Sequence, residues 1–244
     1  MKKPLLSLVS LLSFSFLFAG FNDGKTTKFV QFDLTSTTYT GVERYNTLFS
    51  GEAGAVSHWW ETSAGIQGYK NAFDFKAGGQ VWFPFTNWEY DILRLSLGAG
   101  ALYHFQKYSD VSFENDFLAF STFRLWMDGG LTVSFFGGYS WKITKLSALD
   151  DCGIYPYVFD DYPTAGMTID KVWENGLEFC FEHSLHDDYR FPLFCAPRYA
   201  FLLAVNLDSG IRYGAEYSFR VIDGYAASPY VDSRLIKLSA RYSF

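Results

Sequence analysis

A transmembrane antiparallel up-and-down β-barrel of about ten strands is the fold class this sequence predicts, and three observations predict it. Segments of about ten residues alternate apolar and polar along most of the chain, which is the period of a strand with two different faces. Aromatic residues fill 20% of the 244 positions and glycine 21 of them, yet mean hydropathy is close to zero, so apolar surface is spread thinly. The chain ends SRLIKLSARYSF, where Phe244, Tyr242, Ala240, Leu238 and Ile236 alternate with Ser243, Arg241, Ser239 and Lys237. Most domains fray over their last residues, so an unbroken pattern up to the terminus asks for a structural reason.

The N-terminus sets the compartment. Met1, Lys2 and Lys3 make a short basic start, residues 5 to 18 are apolar with interspersed serines, and small residues follow at Ala19 and Gly20. This is the layout of a cleaved secretory signal peptide over residues 1–19, leaving 20–244 as a single barrel domain. About 14 apolar residues are too few for a spanning helix, and no second long apolar run follows. Formal charge moves from −6 to −8 when Lys2 and Lys3 leave, an acidic balance that excludes nucleic acid as a partner.

The ten expected strands lie near residues 28 to 40, 72 to 83, 90 to 105, 117 to 127, 131 to 144, 164 to 173, 177 to 185, 195 to 207, 211 to 221 and 234 to 244. The first alternates Val30, Phe32 and Leu34 with Gln31, Asp33 and Thr35, and the ninth alternates Ile211, Tyr213, Ala215, Tyr217 and Phe219 with Arg212, Gly214, Glu216, Ser218 and Arg220. Tight turns are expected at 84 to 87, 128 to 130, 174 to 176 and 208 to 210, where Gly and Asn supply hairpin geometry. Longer polar connections at 106 to 116, 145 to 163, 186 to 194 and 222 to 233 alternate with them and fall at the opposite end. The stretch from 41 to 71 reads as a long first loop. A structureless loop of that length is unusual, so twelve strands is the alternative count and eight a further one.

The two faces differ in kind. One carries apolar residues, with Tyr90, Tyr103, Trp141, Trp173, Tyr199, Tyr242 and Phe244 near strand ends and Lys171 as its exception. The other is Gly, Ser and charge, which suits the interior of a narrow closed barrel better than the solvated face of a sandwich. In this register the inward acids are Asp33, Asp74, Asp170, Glu178, Glu182 and Glu216, against Lys76, Arg94, Arg124, Lys142, Arg198, Arg212, Arg220, Lys237 and Arg241. Charges in so small a space need partners, so one reading is a salt-bridge network that largely plugs the lumen. The other is a narrow pathway whose mildly positive lining favours small anions or anionic groups.

Neither cofactor nor metal is expected. Cys152 and Cys195 lie at loops of one end and could bridge, while Cys180 points inward and leaves an odd thiol; their spacing is not that of a zinc site. His183 and Ser184 are adjacent and so face opposite ways on a strand, which excludes them as a nucleophile pair. His186 beside Asp187 and Asp188, with Asp150, Asp151, Asp160 and Asp161 in the neighbouring connection, places acids and histidine on one rim.

Leader, alternation and terminal Phe244 with Tyr242 and Ala240 resemble small bacterial outer-membrane barrels, in architecture the OmpA-transmembrane and OmpW-like group. That resemblance implies a monomer in the bacterial outer membrane among its lipids, delivered by periplasmic chaperones and inserted by the barrel-assembly machinery, for which the last three alternating residues form the signal. It implies short turns in the periplasm, long loops outside, and a structural or surface role or limited small-solute passage rather than catalysis. The acidic, histidine-bearing rim is similar to that of omptin proteases, and implies as the alternative a surface hydrolase, omptin-like or lipid-modifying.

Overall fold

Twelve strands form the barrel in the computed structural model, which describes residues 26–39, 42–57, 60–69, 72–84, 93–107, 112–146, 152–185, 197–222 and 230–244. In order they are β1 (Thr27–Tyr39), β2 (Val42–Val56), β3 (Trp60–Tyr69), β4 (Ala72–Pro84), β5 (Leu93–Lys107), β6 (Phe113–Met127), β7 (Leu131–Lys145), β8 (Tyr157–Val172), β9 (Leu177–Ser184), β10 (Arg198–Asn206), β11 (Ile211–Ile222) and β12 (Tyr230–Ser243). Each pairs antiparallel with its chain neighbour, and β12 pairs with β1 to close the sheet. Closure satisfies both edges, which a sheet surrounded by hydrocarbon requires.

The count corrects the expectation of about ten. The supposed loop at 41 to 71 holds β2 and β3, the first paired with β1 from Thr27↔Val56 through Thr37↔Asn46 and the second with β4 from Trp60↔Val81 through Tyr69↔Ala72. Between Phe49 of β2 and Ile66 of β3, which are large and exposed, their outward positions are mostly small, with Gly51, Ala53 and Ala55 on β2 and Thr62 and Ala64 on β3, so no sustained apolar alternation announces them. Phe32 of β1 faces Gly51 in the register and spreads its ring there, supplying the apolar cover that β2 lacks. A hairpin adds two strands at once, so both ends of the barrel sheet still emerge at one rim.

Two further expectations change. β8 begins at Tyr157 and not near 164, and β6 at Phe113 and not near 117, because pairing runs on through Lys142↔Asp160, Lys145↔Tyr157 and Lys107↔Phe113. Asp160, Asp161, Glu114 and Asp116 are therefore strand residues and not loop residues. The expected leader, Tyr90, Asp150, Asp151, His186, Asp187, Asp188 and Cys195 lie outside the described residues, as does the remainder of the turn after Pro84.

At the rim that carries the termini, short turns are stitched to the next hairpin. Gly130 and Gly176 adopt φ of 77° and 82°, a conformation that favours glycine, and a Cβ on either would run into the backbone carbonyl of Val172 or Asn206. Their carbonyls accept from the amides of Val172 at 2.9 Å and Asn206 at 2.8 Å. The amide of Ser243 reaches Gly210 O at 2.8 Å in the same way. Lys28 and Phe244 exchange both backbone bonds, at 3.0 and 2.9 Å, so the final residue is held through its amide and its carbonyl alike.

Burial is inverted relative to a water-soluble fold. Ser140, His104 and Asp116 on the inner face are 0%, 2% and 2% exposed, whereas Phe32, Phe83 and Leu203 on the outer face are 68%, 64% and 57% exposed. A continuous outer surface of this kind needs an apolar surrounding. Aromatic residues with polar tips sit at its ends: Tyr103 donates to Asn115 at 2.7 Å, Tyr139 bonds Asp161, and Lys171 bonds Gly129 O with its ammonium 5.8 Å from the Trp173 ring.

Candidate functional site

The site is the lumen. Twelve strands spaced ~4.8 Å and tilted ~40° enclose a backbone cylinder of roughly 12 Å radius, wide enough to leave space once side chains are subtracted. A cavity of about 860 Å³ occupies it. Inward glycines explain why bulky residues on this face do not fill it. Phe120 lies over Gly100, Phe136 over Gly166, Leu118 over Gly138 and Leu102 over Gly78, each across one strand seam. A Cβ at Gly100 would stand 2.5 Å from Phe120 Cζ, so glycine here is what lets the ring lie flat against the wall.

Charge on the wall falls into two kinds. In the half away from the termini, cations are closed onto acids. Lys142 meets Glu114 at 2.8 Å with both about 96% buried, His104 meets Asp74 at 2.8 Å, Arg198 bridges Glu182 at 3.3 Å and Glu216 at 2.7 Å, and Lys237 also binds Glu216. Ser140 donates to Asp116 beside them. Asp33 is held by Gln31 at 2.9 Å and Ser50, and Lys76 and Arg220 line the same cavity.

Nearer the termini, arginines rest on rings instead. The guanidinium carbon of Arg241 is 3.5 Å from the Phe29 ring, that of Arg124 4.1 Å from Trp82, and that of Arg94 5.0 Å from Trp126. Arg124 also donates to Ser134 at 3.3 Å, and Glu61 accepts from Gln80 at 2.5 Å. Among the described residues no carboxylate forms a salt bridge with Arg124 or Arg241. Arg212 differs, binding Glu178 in a two-pronged pair with one bond of 2.8 Å while Asn206 donates to the same carboxylate at 3.0 Å.

All fifteen charged residues expected on the inward face share that face in the strand register, but not as one network. Glu178 with Arg212, and Glu182, Glu216, Arg198 and Lys237 together, form separate clusters, while Arg94, Arg124 and Arg241 take aromatic partners. Sequence reasoning missed Glu52, Glu61, Glu114, Asp116 and Asp160 because they lay in supposed loops. Alternation with Phe113, Asn115 and Phe117, with Gly51 and Ala53, or with Phe159 and Asp161 was the available signal. These five acids remove the cationic excess, so the described wall has no positive bias. Among the described residues no cluster of three or more His, Cys, Asp or Glu could hold a metal. Cys152 and Cys180 are free thiols.

No protein-family model matches the chain, and no curated protein matches it. Solved structures do. The NanC porin superimposes with a TM-score of 0.56 at 13% identity, covering 86% of this chain and 98% of that one. The KdgM porin, solved in complex with disordered oligogalacturonate, gives 0.52 at 10% identity over 88% and 99%. This chain has the fold of outer-membrane β-barrels. An outer-membrane channel from Pseudomonas putida F1 is similar too, at 0.52 and 9% identity over 90% and 95%. In such a barrel the lumen is the place where chemistry specific to one protein resides, because lipid dictates the outer face.

Proposed function

We propose that this protein is a monomeric outer-membrane channel that passes small polar solutes by diffusion. The observation that carries the reading is the lumen cavity of about 860 Å³, with charged and hydroxyl-bearing side chains along its wall and aromatic side chains folded onto inward glycines. Its similarity in fold to porins and a channel supports the same reading. The chain would be exported by its leader, recognised through Ala240, Tyr242 and Phe244 by the assembly machinery, and seated with the termini in the periplasm. Without a positive wall, the expectation of anion preference gives way to weak charge selectivity. The test is reconstitution into planar bilayers and liposomes. Discrete conductance steps and swelling in a small sugar are expected, and a protein that runs as a folded barrel on an unheated gel yet gives neither overturns the proposal.

A further inference from the structure

Eight charged residues gather toward one end of the lumen. Arg212 and Glu178 are each the second residue of their strand, as Glu61 is of β3 and Arg94 of β5, and Asp170, Arg241 and Arg124 lie within the last four residues of β8, β12 and β6, while Glu52 of β2 stands beside Gln31, which in turn faces Arg241. All are toward the end where the termini emerge. Most of them interact with one another through space: Arg124 with Glu61 and Asp170, Asp170 with Glu178 and Arg212, Arg241 with Arg212, Glu52, Glu178 and Glu61. Passing round the barrel from β2 to β12 the signs run minus, minus, plus, plus, minus, minus, plus, plus, and the ring carries no net charge.

The geometry points to this ring as the solute-selecting site of the channel, matched to small uncharged polyhydroxylated solutes. The inference rests on the channel reading above and adds where selection occurs and for what. Charges of both signs at one level cancel near the axis, so a passing ion gains little attraction to offset the water it sheds there. A hydroxyl gains in both directions, accepting from a guanidinium and donating to a carboxylate. Arg124 and Arg241 are kept available because Trp82 and Phe29 hold their guanidinium planes against the wall, and so hold them off the carboxylates opposite. The pairs farther up, Lys142 with Glu114 and Lys237 with Glu216, have already spent hydrogen bonds on each other, as Arg212 and Glu178 have within the ring, which leaves Arg94, Arg124 and Arg241 as the ring's arginines without a salt-bridged carboxylate among the described residues.

The test uses the full-length protein in bilayers with a salt gradient and in liposomes loaded with labelled glucose, glucuronate or glucosamine. The unaltered channel should be nearly non-selective between potassium and chloride and should release glucose fastest. Arg124→Gln leaves the ring one charge negative and should raise the cation-to-anion permeability ratio about fivefold, the scale set by one unit charge a few ångströms from the ion path. Asp170→Asn should move the ratio the other way by a similar factor, with glucuronate release rising over glucosamine. Arg124→Lys keeps the charge and should keep the ratio, which separates selection from a disturbed barrel. Unchanged ratios in both neutralised variants, in a channel that conducts, overturn the ring and leave the channel reading standing. A wild-type channel that releases either charged sugar faster than glucose overturns it equally. Absence of conductance in the unaltered protein removes the channel reading and the ring with it.

Discussion

At the scale of single residues, the lumen is governed by what stands opposite each glycine. Adding a side chain at Gly100 must displace Phe120, and the direction open to that ring is the cavity. Gly100→Leu should therefore lower single-channel conductance by roughly half, and because its Cβ also meets Gly79 O and Gln80 Cβ at 2.7 Å the barrel should form with a lowered urea midpoint. Recordings of variant and parent at one salt concentration check it, and equal conductance would show that Phe120 is not seated as described. Buried pairs behave differently. Glu114→Ala leaves the Lys142 ammonium about 96% buried without its carboxylate, and breaking a buried pair by removing one partner costs about 3–5 kcal/mol. Urea unfolding in lipid vesicles should show that loss, and Glu114→Ala with Lys142→Met should regain most of it. Individual charges were legible in the sequence: period-2 parity put Asp33, Glu216 and Arg241 on the inner face. Their partners were not, because a partner is set by register and side-chain reach. Nothing in the string of letters says that Arg124 bends onto Trp82, two strands away across Gly98.

At the scale of elements, legibility followed the lipid face. Strands with large outward residues, such as β7 and β11, declare themselves because Leu, Val, Tyr and Phe recur every second position. β2 and β3 do not, since Gly51, Ala53, Ala55 and Ala64 sit where a strand would show its apolar side. Hydrophobic cover came from the neighbouring strand through Phe32, a tertiary fact that local pattern does not contain. Acidic strand ends misled for a related reason: Glu114, Asp116 and Asp160 read as solvated loop, yet their carboxylates face inward above the apolar band. The tight turns were legible, because a residue forced to positive φ must be glycine or nearly so. Gly176→Val places a branched side chain at φ 82° against the Asn206 carbonyl, and a cost of about 1–3 kcal/mol from backbone strain is expected. Slower refolding into vesicles and a lower urea midpoint would register it, whereas Gly137→Val, at a site with open space around it, should cost far less.

At the scale of the whole molecule, closure is the step on which everything else depends. β1 and β12 pair from Phe29↔Ser243 to Tyr39↔Ser233, and Phe244 adds two more bonds to Lys28. Deleting Phe244 removes both of those bonds and the terminal aromatic, and should reduce the heat-modifiable, folded fraction in the outer membrane severalfold. Arg241→Ala leaves closure intact and should alter only the lumen. Normal assembly of the truncated chain would count against the tail as a signal. The fold class was readable at this scale because alternation and a terminal aromatic strand both describe the environment, which acts on the entire outer face at once. Solute preference acts on a few side chains whose positions depend on shear and tilt, so it waited for the structure.

The seam between β12 and β1 has a consequence for chain order. Its register is as regular as any other, and the short turns beside it show how adjacent strands are joined at that rim. A short linker from Phe244 to the start of β1 with a new break at Gly130 would make β6 the last strand and β7 the first. Such a circularly permuted chain should close to the same barrel in vesicles, while presenting Trp126 and Met127 in place of the native ending. Comparing its refolding with its insertion in cells would separate the physics of closure from the recognition of one particular tail.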